Sequence, residues 1–154
     1  VRQSGSTWFL GEDEVRPLGN MPATHEGGMA DWALKMKGVP YHWGGRTGWG
    51  LDCSGLVSLA AAVGGLHVPR DAAQQFQVGL EVALESIQRD DIAFFQNEKG
   101  RITHVGICDG ERGVIHASGE VRVDLLDGEV LRRHEDGEIS HRLAGFRRWS
   151  GLNS

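Results

Sequence analysis

At 154 residues, 40% hydrophobic and 24% charged, the chain has the size and composition of one globular domain and is too apolar for a disordered segment. Sixteen Lys and Arg against twenty-one Asp and Glu give a net charge of −5, and the basic residues form no run, which excludes a nucleic-acid groove. No stretch approaches the roughly 20 apolar residues of a membrane span, and two cysteines are too few for a disulfide framework.

Residues 1–20 contain Ser6-Thr7-Trp8-Phe9-Leu10, an acidic turn and Val15-Arg16-Pro17-Leu18-Gly19, a pattern of one or two strands without partners. They read as an N-terminal arm, leaving 21–154 as the main domain. The opening VRQSGSTWF lacks the apolar core of a secretion signal, but a chain that starts on Val rather than Met leaves the compartment open, envelope or cytoplasm. Pro22 suits the first turn of a helix running to about Lys37, with Met29, Trp32, Ala33 and Met36 on one face and Gly38 as the stop.

The stretch from Tyr41 to Gly50 holds glycines at 44, 45, 48 and 50, which argues against regular structure and for the wall of a cleft. Asp52 can cap a helix over Cys53–Val63 that stops at Gly64-Gly65; its apolar residues nearly surround it, so it belongs at the centre. A shorter helix capped by Asp71 is expected to Val78. From Ile92 the rhythm turns to strands, at Ile92–Phe95, Thr103–Cys108, Val114–Ala117, Val121–Leu125 and Leu143–Trp149, with the acid-rich Asp127–Glu138 as a solvated loop. Helices followed by strands describe an α+β domain with a mostly antiparallel sheet.

A nucleophilic thiol needs a depressed pKa, a base within reach and donors for the oxyanion. Cys53 opens a helix, where the macrodipole favours the thiolate and unpaired N–H groups lie beside the sulfur. Gly55 leaves room for a substrate backbone, whereas Cys108, at the end of an apolar run, reads as a buried structural thiol. His104 and His116 stand in matching strand contexts joined by a turn. In a hairpin they would be neighbours across the ladder, His104 as base and His116 fixing its tautomer. His25, His42, His67, His134 and His141 lie in polar contexts and are assigned no role, and Trp43, Trp49, Arg46 and Arg70 are cleft candidates or plain structure. No cofactor or metal is assigned. The rival from the same residues is a zinc site of Cys53, His104 and His116, which lacks the short paired-ligand spacing.

Six segments, taken together and in order, resemble the NlpC/P60 peptidases: Tyr41-x-Trp43-Gly44-Gly45, Asp52-Cys53-Ser54-Gly55-Leu56-Val57, Pro69-Arg70-Asp71-Ala72, Asp91-Ile92-Ala93-Phe94-Phe95, Thr103-His104-Val105-Gly106-Ile107 and Ile115-His116-Ala117-Ser118. The resemblance covers residues 24–149. It implies a papain-like fold, N-terminal helices packed on the sheet, and a cysteine peptidase that cuts the γ-D-glutamyl bond to a diamino acid in peptidoglycan stem peptides. It assigns Cys53, His104 and His116 to the triad and Tyr41 to an oxyanion or positioning role near the thiol. It makes Asp52 and Ser54 substrate-binding, with Trp43 and Arg46 beside them, and Asp52 is then placed to pair with a substrate ammonium. The sequence departs from the family at Arg89-Asp90-Asp91-Ile92, where Gly-Asp-Leu is usual. Residues 1–20 resemble the last hairpin of a bacterial SH3-type domain, a module that often precedes this family. An amidase or acyltransferase with the same triad, or a wall-binding protein that does not cut, are the alternatives.

Overall fold

The computed structural model describes residues 27–149, and of the preceding segment the two-residue strands β1 (Arg2–Gln3), β2 (Ser6–Thr7) and β3 (Arg16–Pro17). The expected arm or SH3-type remnant at 1–20 therefore lies for the most part outside the described residues. The main domain begins with α1 (Met29–Lys35), the hairpin β4 (Arg46–Thr47) and β5 (Gly50–Leu51), and α2 (Cys53–Val63). Next come β6 (Leu66–His67), which pairs with β3, then α3 (Ala72–Gln75) and β7 (Leu80–Val82). Six strands complete it: β8 (Ile92–Gln96), β9 (Ile102–Cys108), β10 (Gly113–Ser118), β11 (Glu120–Asp127), β12 (Val130–Arg132) and β13 (Ile139–Arg148).

The sheet order is β12-β11-β10-β9-β8-β13-β7, and β12 also pairs with β13. Every one of these pairings is antiparallel, so β8 to β13 close into a six-stranded barrel, with β7 continuing the edge of β13. Closure removes the free edges that an open sheet would expose. The strand pattern read from sequence is thus present, closed on itself.

Alternation along each strand divides the core in two. Phe94, Val105, Ile107, Ile115, Ala117 and Val121 face outward and pack on Met29, Ala30 and Ala33 of α1 and Leu56, Val57, Ala60 and Ala61 of α2. Ala93, Phe95, Cys108, Val114, Leu131 and Phe146 fill the interior. A register shift between Leu143 and Gly145 lets both Leu143 and Phe146 meet that interior cluster.

Four expectations change. The first helix cannot run unbroken from Pro22, because Gly27 has φ +111° and Gly28 is extended as the N-cap of α1. The glycines of 41–50 do not prevent pairing: β4 and β5 form a two-residue ladder, with Gly45 and Gly50 packed where a Cβ on Gly45 would lie 2.4 Å from the Gly50 carbonyl. The helix at Asp71 stops at Gln75, and the Asp71 side chain makes no capping bond. Beyond it the chain turns so that Phe76 packs on Phe94 at 5.1 Å and the Val78 carbonyl meets the Trp149 indole N–H. Finally, the stretch Asp127–Glu138 contains β12, whose fully buried Leu131 fills the barrel.

Candidate active site

Asp52 has the extended backbone of an N-cap, and its Oδ1 accepts the Gly55 N–H at 2.6 Å, so α2 opens on Cys53. The other oxygen, Oδ2, accepts from the Gly44 N–H at 3.0 Å and from Arg70 Nη2 at 2.7 Å. Ser54 Oγ receives a bond from Arg70 Nη1 at 2.7 Å. Asp52 is buried, and its carboxylate both caps α2 and pairs with Arg70, accepting in addition from Ser54 Oγ at 3.4 Å. Ser54 is buried with its hydroxyl already engaged. Although burial alone would raise the Asp52 pKa, the bonds from Arg70, Gly55 and Gly44 hold it below the ordinary carboxylate range. The room beside Gly55 is also filled by the protein itself: a Cβ there would lie 2.3 Å from the Gly45 carbonyl, so this glycine lets the 44–52 loop cross the helix start.

The Cys53 sulfur lies against β9, within reach of the Val105 N–H and next in the chain to His104. Contrary to the expectation of a ready thiolate, burial pushes the Cys53 thiol up and the Asp52 charge adds to this; the N–H groups of Ser54, Val105 and Cys53 itself oppose the rise without cancelling it. Desolvation outweighs the helix terminus. Tyr41 is partly exposed, and its pKa is raised by burial and by the charges of Cys53 and Asp52. Its own N–H donates to the Gly119 carbonyl at 2.8 Å, tying the 38–42 strap to the β10–β11 turn.

The two histidines do come together, by a diagonal contact. β9 and β10 pair only through Ile107–Cys108 and Val114–Ile115, and extending that register puts Gly106, not His104, across from His116. A Cβ on Gly106 would lie 3.0 Å from the His116 Cβ and 2.5 Å from Val114 Cγ1, so its absence lets the two strands approach. His104 Nε2 and His116 Nδ1 are 2.7 Å apart, and His116 Nε2 is 2.8 Å from Asp124 Oδ2 on β11. Asp124 also accepts from Arg122 Nε at 2.9 Å and from the His134 N–H at 3.0 Å. Those bonds, that of His116 foremost, overcome burial and hold its carboxyl down at about 2.

Asp124 was not singled out from sequence, where Val121–Leu125 reads only as a strand. The available signal was parity: Asp124 pairs with Val114, two residues from His116 on the same face of β10. His141, read as solvated, is the second omission. It stacks on His104 with ring centroids 4.0 Å apart and planes within 14°. Burial lowers the His104 pKa well below the usual imidazole range, with His141 and His116 adding to the effect, so both rings are neutral near pH 7.

Since Asp124 is ionised and can only accept, His116 carries its proton on Nε2 and presents a bare Nδ1. His104 must then donate from Nε2, which leaves its Nδ1 as the basic atom. One ring nitrogen from each of His104, His116 and His141 lies within 4.8 Å of the other two. They nevertheless suit a proton relay better than a metal. The stacked pair keeps its lone pairs in two nearly parallel planes that share no ion position, and two ligands of a tetrahedral ion would stand about 3.3 Å apart, wider than the His104–His116 contact.

Trp43 and Trp49 are 84% and 92% exposed, and Arg46 is exposed on β4. Arg46 and Arg70 line a cleft of about 400 Å³ with Ser58, Pro69, Asp71 and Gln74. From α2 the cleft is lined by Ser58, and Arg70 links it to the helix start through its bonds to Asp52 and Ser54.

A model described as the NlpC/P60 family matches residues 38–139. A γ-D-glutamyl-L-lysine dipeptidyl-peptidase of Bacillus subtilis is 36% identical over 118 residues, 73% of this chain and 40% of that protein. A γ-DL-glutamyl hydrolase of the same organism is 40% identical over 114 residues, 72% of this chain and 28% of that protein. Among solved structures, an NlpC/P60 family protein from Bacillus cereus superposes with a TM-score of 0.68 at 29% identity, covering 79% of this chain and 39% of the other. The chain thus spans less than half the length of these relatives.

Proposed function

The chain belongs to the NlpC/P60 family, and from that premise we propose that it is a cysteine peptidase hydrolysing the γ-D-glutamyl bond to the diamino acid in peptidoglycan stem peptides. The observation that carries the proposal is the buried chain from Asp124 through His116 to His104, ending on the strand that holds the Cys53 sulfur. A relay of this kind has no structural need; burying two imidazoles and a carboxylate is costly unless they act together. The relative named for γ-D-glutamyl-L-lysine cleavage supports this choice of bond.

In the proposed reaction His104 Nδ1 removes the Cys53 proton as the sulfur attacks the γ-carbonyl carbon. Because the thiol rests protonated, the proton moves in the same step, and the imidazolium formed on His104 is stabilised through His116 by Asp124. The oxyanion faces the N–H groups at the start of α2 and the Tyr41 hydroxyl. Collapse breaks the C–N bond, and His104 gives its proton to the leaving amine of the diamino acid. Water, deprotonated by His104, then attacks the thioester and releases the γ-carboxylate and the free thiol. Arg46 and Trp43 are proposed as rim contacts. Arg70, fixed by Asp52 and Ser54, is the group suited to a substrate carboxylate.

The test is incubation with defined stem peptides followed by mass spectrometry. Scission between D-Glu and the diamino acid, lost on Cys53→Ala, is expected. Cleavage elsewhere would turn the assignment to an amidase or acyltransferase, and binding without cleavage to a wall-binding role.

A further inference from the structure

We propose that His141 is a positioning residue that holds the His104 ring in the plane of the relay by stacking on its face. The proposal rests on the functional assignment above but concerns a residue that assignment does not use. The barrel brings the two rings together from strands that are not neighbours. Leu143 of β13 pairs with Phe95 of β8, and Phe95 pairs with His104 of β9. His141 stands two residues before Leu143, on the same face and nearer the mouth. The planes meet at 14° with centroids 4.0 Å apart, whereas Phe95 approaches His104 at 5.9 Å and 44°.

The stack has its own anchor. His141 Nδ1 is 3.0 Å from Ser140 Oγ, and that hydroxyl donates its single hydrogen to the Leu131 carbonyl at 3.2 Å. Ser140 can therefore only accept from His141, which puts the proton on Nδ1 and keeps the ring plane fixed to the β12–β13 ladder. A hydrogen bond to His116 restrains His104 at one nitrogen and leaves it free to hinge about its Cβ–Cγ bond. A flat plate against one face removes that freedom.

Charge completes the role. The charged or titratable groups facing His141 are His104 from β9, His116 from β10, and Asp124 and Arg122 from β11; β8 and β12 present Phe95 and Leu131. Burial, then His116 and Arg122, lower His141 to about 4, against the opposing pull of Asp124. The ring is therefore neutral while His104 cycles through its cation, and a neutral aromatic face is attractive to that cation.

The experiment compares His141→Phe, which keeps a flat ring without a titrating nitrogen, with His141→Leu, which keeps bulk without a ring. We expect His141→Phe to stay within about threefold of wild-type kcat on a stem tripeptide, and His141→Leu to lose about tenfold at unchanged KM. In a Cys53→Ala background, the His104 ring protons followed by NMR should keep the ring-current shielding of a stacked face in His141→Phe and lose it in His141→Leu. Equal kcat for the two folded variants, whether high or low, overturns the proposal. If His141→Leu does not fold, His104 ring protons that show no such shielding in His141→Phe overturn it alone. A wild-type protein that cuts no stem peptide refutes the functional assignment instead, leaving the ring-proton shifts to decide the stack.

Discussion

Asp124→Asn tests the relay where it is furthest from the substrate. In the wild type the carboxylate can only accept, and this dictates the tautomers of His116 and His104 in turn. Asparagine is nearly isosteric but can present either oxygen or NH2, so both tautomers of His116 become accessible. The lost preference is that of a buried charge-assisted hydrogen bond, about 2 kcal/mol, which corresponds to roughly a 30-fold drop in the fraction of His104 carrying a basic Nδ1. The carboxyl gives a consistent figure: its fall from 3.8 to about 2 corresponds to on the order of 2 kcal/mol. We therefore expect kcat on a stem tripeptide to fall about 10- to 100-fold with KM nearly unchanged, since no substrate contact is removed. Nitrogen-15 shifts of the His116 ring should change from one tautomer to a mixture. A folded Asp124→Asn protein within threefold of wild-type kcat near pH 7 would refute the claim that Asp124 sets the tautomers.

Brief iodoacetamide treatment should label Cys53 well before Cys108, which is 2% exposed and whose thiol burial pushes far up; preferential labelling of Cys108 in folded protein would contradict the site. His104→Ala should nearly abolish turnover and His116→Ala reduce it less, the first moving the proton and the second orienting the base; the reverse order in folded variants would exchange their roles. Stability should fall on acidification from pH 6.5 towards 4, because the unfolded chain takes up protons that His104 and His141 refuse in the fold. The unfolded state then binds more protons, so stability rises with pH across this window. Urea midpoints that are flat between these pH values would show that the rings are not buried as neutral groups.

The sequence alone was enough to place α2 to the residue, because Asp52, Cys53 and Gly64 are local signals: a cap, an N1 position and a stop. It was enough, too, for five strands and the His104–His116 pair, since alternation and a turn are readable within about ten residues. What it could not supply were contacts set by closure of the barrel. β12 is three residues long, too short to show a period, and β7 is no longer, yet Leu131 seals the ring and brings His141 of β13 over His104. Asp124 looked like one more polar residue in a strand until the β10–β11 register set it beside His116. Asp52 reads from sequence as a helix cap and a substrate contact, and only the fold brings Arg70 and Gly44 to it. In each case the deciding partner is at least eight residues away in the chain and arrives only through strand register or a loop crossing. The charge and tautomer of a buried group depend on what surrounds it, and only the tertiary structure determines those surroundings.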